Sequence, residues 1–187
     1  PFLEYSNHQY KAMKNAYAGH LKYSFQLRPH TVADQAYIGA YQGIGVGYFN
    51  FGNPEELGNP LAVYLFQGGR IAQFSPRISL NYEWNFGASF GWKPYDEYDN
   101  PENQIIGSKV NAYLNVNLYL KWALSPKFDL MIGATGSHFS NGNTQYPNSG
   151  LNTVDCKVGL VYNFNRRADE LVQSWQRPIV PPFPRHV

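Results

Sequence analysis

Residues 77–93 read RISLNYEWNFGASFGWK, and apolar side chains occupy every second position from Ile78 to Trp92. The positions between them are polar or small, from Arg77 to Lys93. This period of two residues predicts a β-strand with one apolar face and one polar face. The strand is long, because strands of soluble sheets usually have about five or six residues.

Six further segments carry strand patterns of differing clarity. Residues 109–124, KVNAYLNVNLYLKWAL, repeat the alternation over their whole length, whereas 40–52 and 60–72 are strand-like without a clear apolar face. Such spacing predicts an all-β, antiparallel chain. The seven predicted strands are 20–28, 40–52, 60–72, 77–93, 109–124, 128–140 and 154–164.

The connections between the strands differ at the two ends of the predicted sheet. Residues 74–76 and 125–127 are short turns, whereas 94–108 and 141–150 are long and polar. Short turns at one end and long loops at the other are typical of outer-membrane barrels. We therefore predict an antiparallel up-and-down transmembrane β-barrel with aromatic side chains outside and a polar, hydrated interior.

A soluble lipocalin-like barrel is the alternative fold, and it would exchange the two faces of each strand. Its interior would then contain the aromatic side chains, which would overfill a small barrel. The membrane interpretation expects Glu83, Asn85 and Asn115 inside. It expects these aromatic residues outside: Trp84, Phe86, Phe90 and Trp122.

Seven strands are an odd number, whereas bacterial single-chain barrels have an even number. About eight strands are therefore expected, with the first supplied by residues 1–19 or absent from this sequence. The expected organisation is an N-terminal segment at 1–19, a barrel at 20–164 and a proline-rich periplasmic tail or linker at 165–187. An eight-stranded barrel is filled by its own side chains, which argues against a pore.

Composition excludes several other classes of protein. The formal net charge is only +2, so no strong field favours a nucleic-acid partner. A single cysteine, Cys156, excludes an internal disulfide framework and a cysteine-rich metal site. No apolar run reaches the roughly 18 residues that a membrane helix needs.

The segment Ser137–Asn143, SHFSNGN, contains the candidate catalytic residues. Strand alternation places His138 and Ser140 on the lipid-facing side, roughly 6–7 Å apart at the backbone, so that the imidazole can take a hydroxyl proton. Polar groups facing lipid are costly unless they are used. The alternative is that the alternation ends before the loop, which would leave two ordinary polar residues.

The sequence HFSNG at 138–142, followed by PNSGLN at 147–152 and a final aromatic strand, resembles the lipid A 3-O-deacylase (PagL-type) family. Within this family of eight-stranded outer-membrane barrels, the chain is most similar to Bacteroidetes acyloxyacyl hydrolase relatives. The resemblance is specific over 128–164. It implies Ser140 as nucleophile and His138 as general base.

The same resemblance implies further features of the site and its surroundings. Asn141 and Asn148 match positions for oxyanion stabilisation or substrate binding, and no metal or cofactor is expected. The implied substrate is lipid A or lipopolysaccharide in the outer leaflet, and the implied location is the outer membrane of a Gram-negative bacterium. A homodimer is compatible with these expectations.

One position departs from the family pattern. The family has a glutamate twelve residues after the serine, and this chain has Asn152 there. Asp155 is the nearest carboxylate, but strand alternation predicts that it faces the lumen. Two functions therefore stay open: an ester hydrolase that uses Ser140, His138 and Asn152, and an impaired or inactive barrel that binds lipopolysaccharide or is structural.

Overall fold

The structure is a computed structural model that describes residues 16–26 and 39–166. It is all-β, as predicted from the alternation, and each strand lies close to its predicted limits; one short helix was not predicted. The elements are β1 (Tyr17–Gln26), β2 (Tyr41–Asn50), α1 (Pro54–Leu57), β3 (Gly58–Gln73), β4 (Ile78–Trp92), β5 (Val110–Ala123), β6 (Phe128–Ser140) and β7 (Leu151–Tyr162). Most of the predicted flanking segments, 1–15 and 167–187, lie outside the described residues.

The seven strands form one antiparallel up-and-down sheet in the order β1 to β7. The sheet is curled into a half-barrel, because side chains from both edge strands reach the same residue on the central strand. Lys22 on β1 and Lys157 on β7 both pair with Glu83 on β4. Among the described residues, no helix is long and apolar enough to cross a membrane.

The predicted faces of β4 and β5 are confirmed. Glu83, Asn85 and Asn115 are at most 6% exposed and lie on the inner side of the curl. The predicted outward aromatic residues Trp84, Phe86, Phe90 and Trp122 are 44–56% exposed. The aromatic face therefore points away from the interior, contrary to the soluble alternative.

The assignment of faces by alternation is wrong at the end of β4. Trp92 shares the sequence parity of the outward residues, yet it is buried. The reason is Gly91, whose φ of +86° interrupts the alternation and turns the following side chain inward. Trp92 thus joins the inner side of the sheet.

An aromatic cluster fills the interior toward the long-loop end. Its members share almost complete burial and ring contacts, and they are Phe49, Phe51, Tyr64, Phe66, Trp92, Tyr113 and Phe139. The expectation of a hydrated interior was wrong at this end. Gly45 makes room for the cluster, since a Cβ there would lie 2.5 Å from the Tyr64 ring.

Candidate active site

The candidate catalytic residues meet where β6 ends and β7 begins. Antiparallel pairing places His138 of β6 directly opposite Asn152 of β7, and Ser140 is the last residue of β6. The His138 Nε2 atom lies 3.0 Å from the Ser140 Oγ atom, and the His138 Nδ1 atom lies 2.8 Å from the Asn152 Oδ1 atom. The expected contact between imidazole and hydroxyl is therefore present at the long-loop end of the strand.

The contact with Asn152 determines which ring nitrogen carries the proton. An amide oxygen only accepts hydrogen bonds, so Nδ1–H of His138 must donate to Oδ1 of Asn152. In the neutral imidazole, Nε2 then carries the lone pair and accepts the Ser140 hydroxyl hydrogen. This is the tautomer that a general base needs in order to deprotonate a serine.

The alternation of β6 continues to the end of the strand. Ser137 and Phe139 are buried on the inner side, whereas His138 and Ser140 are half-buried on the opposite, outward side. On β7, Asn152 is exposed between two buried neighbours. The alternative in which the alternation ends before the loop is therefore wrong, and all three side chains share the outer wall.

Asn152, His138 and Ser140 form a hydrogen-bonded row. Asp155, the carboxylate nearest in sequence, does not take part in it. Asp155 lies on the inward side of β7, which also carries Thr153 and Lys157. No ion pair joins His138 to a carboxylate within the described residues. Asn152 is thus the hydrogen-bond partner that fixes the ring from the Nδ1 side.

Gly150 packs against the row, and sequence reasoning gave it no role. Its φ is +70°, and a Cβ there would lie 3.1 Å from His138 Cε1 and 3.8 Å from Ser140 Cβ. A side chain would therefore strain the backbone and press on the imidazole. The only sign of this role in the sequence is that a glycine directly precedes the alternating pattern of β7.

The two asparagines of the loop 141–150 play different parts. The Asn141 backbone N–H donates to Asn148 Oδ1 at 3.1 Å, and Asn141 Nδ2 donates to the Gln145 carbonyl at 2.7 Å. Asn148 Nδ2 makes no hydrogen bond with another described residue, so it is the end of that amide left to donate. Asn141 Oδ1 is buried and accepts no hydrogen bond within the same residues.

The outer surface beside Ser140 forms a shallow apolar row. Ala112 of β5 lies opposite Ser140, and Ala88 of β4 lies opposite Ala112. Larger exposed side chains flank this row on both sides: Phe86 and Leu114 on one side, Phe90 and Val110 on the other. The apolar row of Ala112 and Ala88 therefore runs from the Ser140 hydroxyl across the outer surface of the sheet, and larger apolar side chains border it on both sides.

Together, the outward aromatic face, the long loops at one end and the polar row on the outer wall place the molecule among outer-membrane-type β-barrels. The chain belongs to the lipid A 3-O-deacylase (PagL) family, whose family model matches residues 2–161. This match confirms the resemblance seen in the sequence, and it identifies an outer-membrane hydrolase family that acts on lipid A. Neither the curated proteins nor the solved structures contain a significant match to the chain.

Proposed function

We propose that this chain hydrolyses an ester-linked 3-hydroxyacyl chain of lipid A in the outer membrane of a Gram-negative bacterium. The observation that carries the proposal is the hydrogen-bonded row of Asn152, His138 and Ser140 on the outer wall. Family membership supplies the substrate class. In this proposal the barrel begins with β1 at Tyr17, a few residues before the predicted limit of 20, and extends to residue 164, followed by a proline-rich periplasmic tail or linker at 165–187.

In the first step, Ser140 attacks the carbonyl carbon of the ester. The bond from Oγ to carbon forms while the hydroxyl proton moves to His138 Nε2, which lies 3.0 Å away. The carbonyl π electrons move to oxygen and give a tetrahedral oxyanion. Collapse breaks the bond to the sugar oxygen, which takes the proton from Nε2 and leaves as a hydroxyl.

In the second step, water attacks the acyl-serine. His138 Nε2 receives the water proton, the bond between Ser140 Oγ and the acyl carbon breaks, and Oγ recovers the proton. The products are the free 3-hydroxy fatty acid and the regenerated hydroxyl. Asn152 Oδ1 accepts from Nδ1–H throughout both steps, so that only Nε2 gains and loses a proton.

Asn148 is the proposed side-chain donor to the oxyanion. Its Oδ1 is fixed by the Asn141 N–H, which leaves Nδ2 to donate where charge develops. Removing one such donor typically lowers kcat by about 10²–10³-fold. Asn141 contributes by holding the loop, through its backbone N–H to Asn148 and its Nδ2 to the Gln145 carbonyl.

The position of the row on the outer wall suits a lipid substrate, because a molecule in the outer leaflet reaches Ser140 sideways. We assign the acyl chain to the apolar row through Ala112 and Ala88, about two strand spacings or ~10 Å across the wall. All residues of the proposed site come from one chain. The proposed mechanism therefore uses no residue from the homodimer considered above.

The second candidate function is an impaired or inactive barrel that binds lipopolysaccharide or is structural. The observation that favours it is the amide of Asn152 where the family has a carboxylate. In a serine protease, an asparagine in place of the triad carboxylate lowers kcat by about 10⁴-fold, because it holds the histidine in the wrong tautomer. Here the amide oxygen faces Nδ1, which supports the tautomer that an active Ser140 needs and therefore favours the first function.

The deciding experiment compares lipid A from Gram-negative cells that express the natural chain or Ser140→Ala. Mass spectrometry should show loss of one 3-hydroxyacyl chain with the natural protein and intact lipid A with Ser140→Ala. Ser137→Ala is the matched control, since it removes a serine hydroxyl from the same strand on the inner side. It should deacylate like the natural chain.

A fluorophosphonate probe tests the nucleophile independently of lipid A. It should label the natural protein and the Ser137→Ala control but not Ser140→Ala. Intact lipid A together with absent labelling of the folded natural protein would favour the inactive barrel. Labelling without deacylation would keep Ser140 as nucleophile and make lipid A the wrong substrate.

A further inference from the structure

The loop 141–150, here called the site loop, carries the proposed oxyanion donor Asn148. Hydrogen bonds hold the loop internally between Asn141 and Asn148, between Asn141 and Gln145, and from both the hydroxyl and the backbone N–H of Thr144 to the Asn141 carbonyl. These bonds give the loop a shape. They do not fix the whole loop relative to the barrel wall that carries Ser140.

The neighbouring loop 93–109, between β4 and β5, is anchored much more firmly. Asn103 Oδ1 accepts hydrogen bonds from the backbone N–H groups of Ile105 and Ile106, at 3.0 and 3.1 Å. Asn103 Nδ2 donates to the carbonyls of Lys93 and Glu56. Since both isoleucines are almost fully buried in the aromatic cluster, this loop is part of the folded core.

The anchored loop touches the site loop immediately before and immediately after Asn148. On the preceding side, a Cβ on Gly107 would lie 2.6 Å from the carbonyl of Tyr146 and 2.7 Å from that of Pro147. On the following side, the Ser149 hydroxyl donates to the Gln104 carbonyl at 3.0 Å. Asn148 is therefore held between two points of one rigid neighbour.

The contact, rather than the backbone conformation, explains the glycine at 107. Its φ is not in the left-handed region, where glycine would be favoured for conformational reasons. A Cβ closer than 3 Å to backbone atoms cannot be accommodated without movement of one chain segment. The segment free to move is the site loop, because the loop 93–109 is fixed by its buried isoleucines.

We propose that the loop 93–109 is the positioning element for Asn148, acting through Gly107 and through the hydrogen bond from Ser149 to Gln104. Gly107 and Ser149 are positioning residues, because they act on the reaction through Asn148. This inference rests on the proposed deacylase function. Displacing a catalytic group by about 1 Å can lower a rate by about 10²-fold.

The test measures kcat and KM of the purified full chain with lipid A in mixed detergent micelles. Gly107→Ala should lower kcat about tenfold to a hundredfold and leave KM within about twofold, since an oxyanion donor acts mainly in the transition state. Gly19→Ala is the matched control, because a Cβ there meets nothing within 4 Å. Its kcat should equal that of the natural chain.

Two further variants separate positioning from general damage. Ser149→Ala removes one hydrogen bond without adding bulk and should lower kcat less, whereas Ser149→Thr keeps the hydroxyl and should restore it. In an Asn148→Ala background, Gly107→Ala should cause no further loss, because the group that it displaces is already absent. Equal losses with and without Asn148 would overturn the inference.

The outcomes distinguish the inference from the function on which it rests. Deacylation by folded Ser140→Ala would overturn the proposed function. If Ser140→Ala is inactive while Gly107→Ala and Ser149→Ala both keep the natural kcat, only the positioning role is wrong. If Gly107→Ala does not fold, Ser149→Ala and its threonine counterpart decide the question.

Discussion

Two polar clusters lie on opposite faces of the same sheet, and they handle charge differently. On the inner face, the Glu83 carboxylate is 4% exposed and is paired with Lys22 and Lys157 from the two edge strands. On the outer face, His138 hydrogen-bonds to the neutral amide of Asn152. The inner cluster is ionic and joins distant strands, whereas the outer row contains no carboxylate and joins adjacent ones.

The difference follows from what surrounds each face. Inside the curl, Glu83 also accepts hydrogen bonds from Tyr41 and Asn117, so its charge is fully compensated by protein groups. On the outer wall, the Asn152 side chain is exposed rather than enclosed by protein groups, and this chain carries an amide where the family has a carboxylate. We therefore expect substitutions in the inner cluster around Glu83 to lower the free energy of unfolding, and substitutions in the outer row of Asn152, His138 and Ser140 to lower kcat.

The largest expected effect is on activity, from the outer row. His138→Ala should lower kcat for lipid A deacylation by at least about 10³-fold, since a serine without its base is a poor nucleophile. The free energy of unfolding should stay unchanged, because the ring is half-buried on the outer wall. Kinetics in micelles and urea unfolding of the same sample measure both quantities, and a large loss of stability would break the proposed separation of the two faces.

The next effect is on stability, from the inner cluster. Glu83→Gln should lower the free energy of unfolding by about 3 kcal/mol, because it leaves the partly buried ammonium groups of Lys22 and Lys157 without their anion. The kcat of the folded fraction should stay natural. Glu55→Gln is the matched control, since its pair with Lys93 spans 3.9 Å with the Glu55 side chain 93% exposed, and its stability should not change measurably in urea titration.

The fold was predictable where the pattern is local. Alternation assigned Glu83 inward and Trp84 outward, because successive side chains of a strand point to opposite faces. The same rule failed at Trp92, since a positive φ at Gly91 exchanges the faces and no alternation reveals it. The helix α1 was missed, because four residues are too short to show a helical period.

The site was predictable in part for the same reason. His138 and Ser140 are two residues apart on one strand, so spacing alone places them side by side. The partner Asn152 depends on the register of β6 and β7, which the conformation of the intervening loop sets. The contact of Gly107 with Tyr146 comes from a distant loop, and neither segment carries a local signal for it.

A smaller effect is expected on substrate preference, from the apolar row beside Ser140. Ala112→Phe should lower kcat/KM for lipid A about tenfold, because the ring would fill the proposed path of the acyl chain. A short acetyl ester should be hydrolysed at the natural rate, since it does not extend past Ser140. Equal losses with both substrates would mean that the row does not hold the chain, and Val116→Phe, on the same face of β5 but away from the hydroxyl, is the control.

The smallest effect is expected at Asn152, where the comparison between the two faces is most direct. Asn152→Asp or Asn152→Glu places a carboxylate beside the imidazolium that forms during attack, as Glu83 stands beside its lysines. The natural tautomer is already correct, so the gain is limited to the charge. An exposed ion pair is worth at most about 1 kcal/mol, and kcat should therefore rise about fivefold.

Asn152→Leu is the control for the acidic variants, because it removes the acceptor for the Nδ1–H of His138, and it should lower kcat instead. Equal or lower activity in both folded acidic variants would show that a carboxylate at this position does not help the imidazolium in this chain, and that Asn152 is not an impaired form of the family's acid.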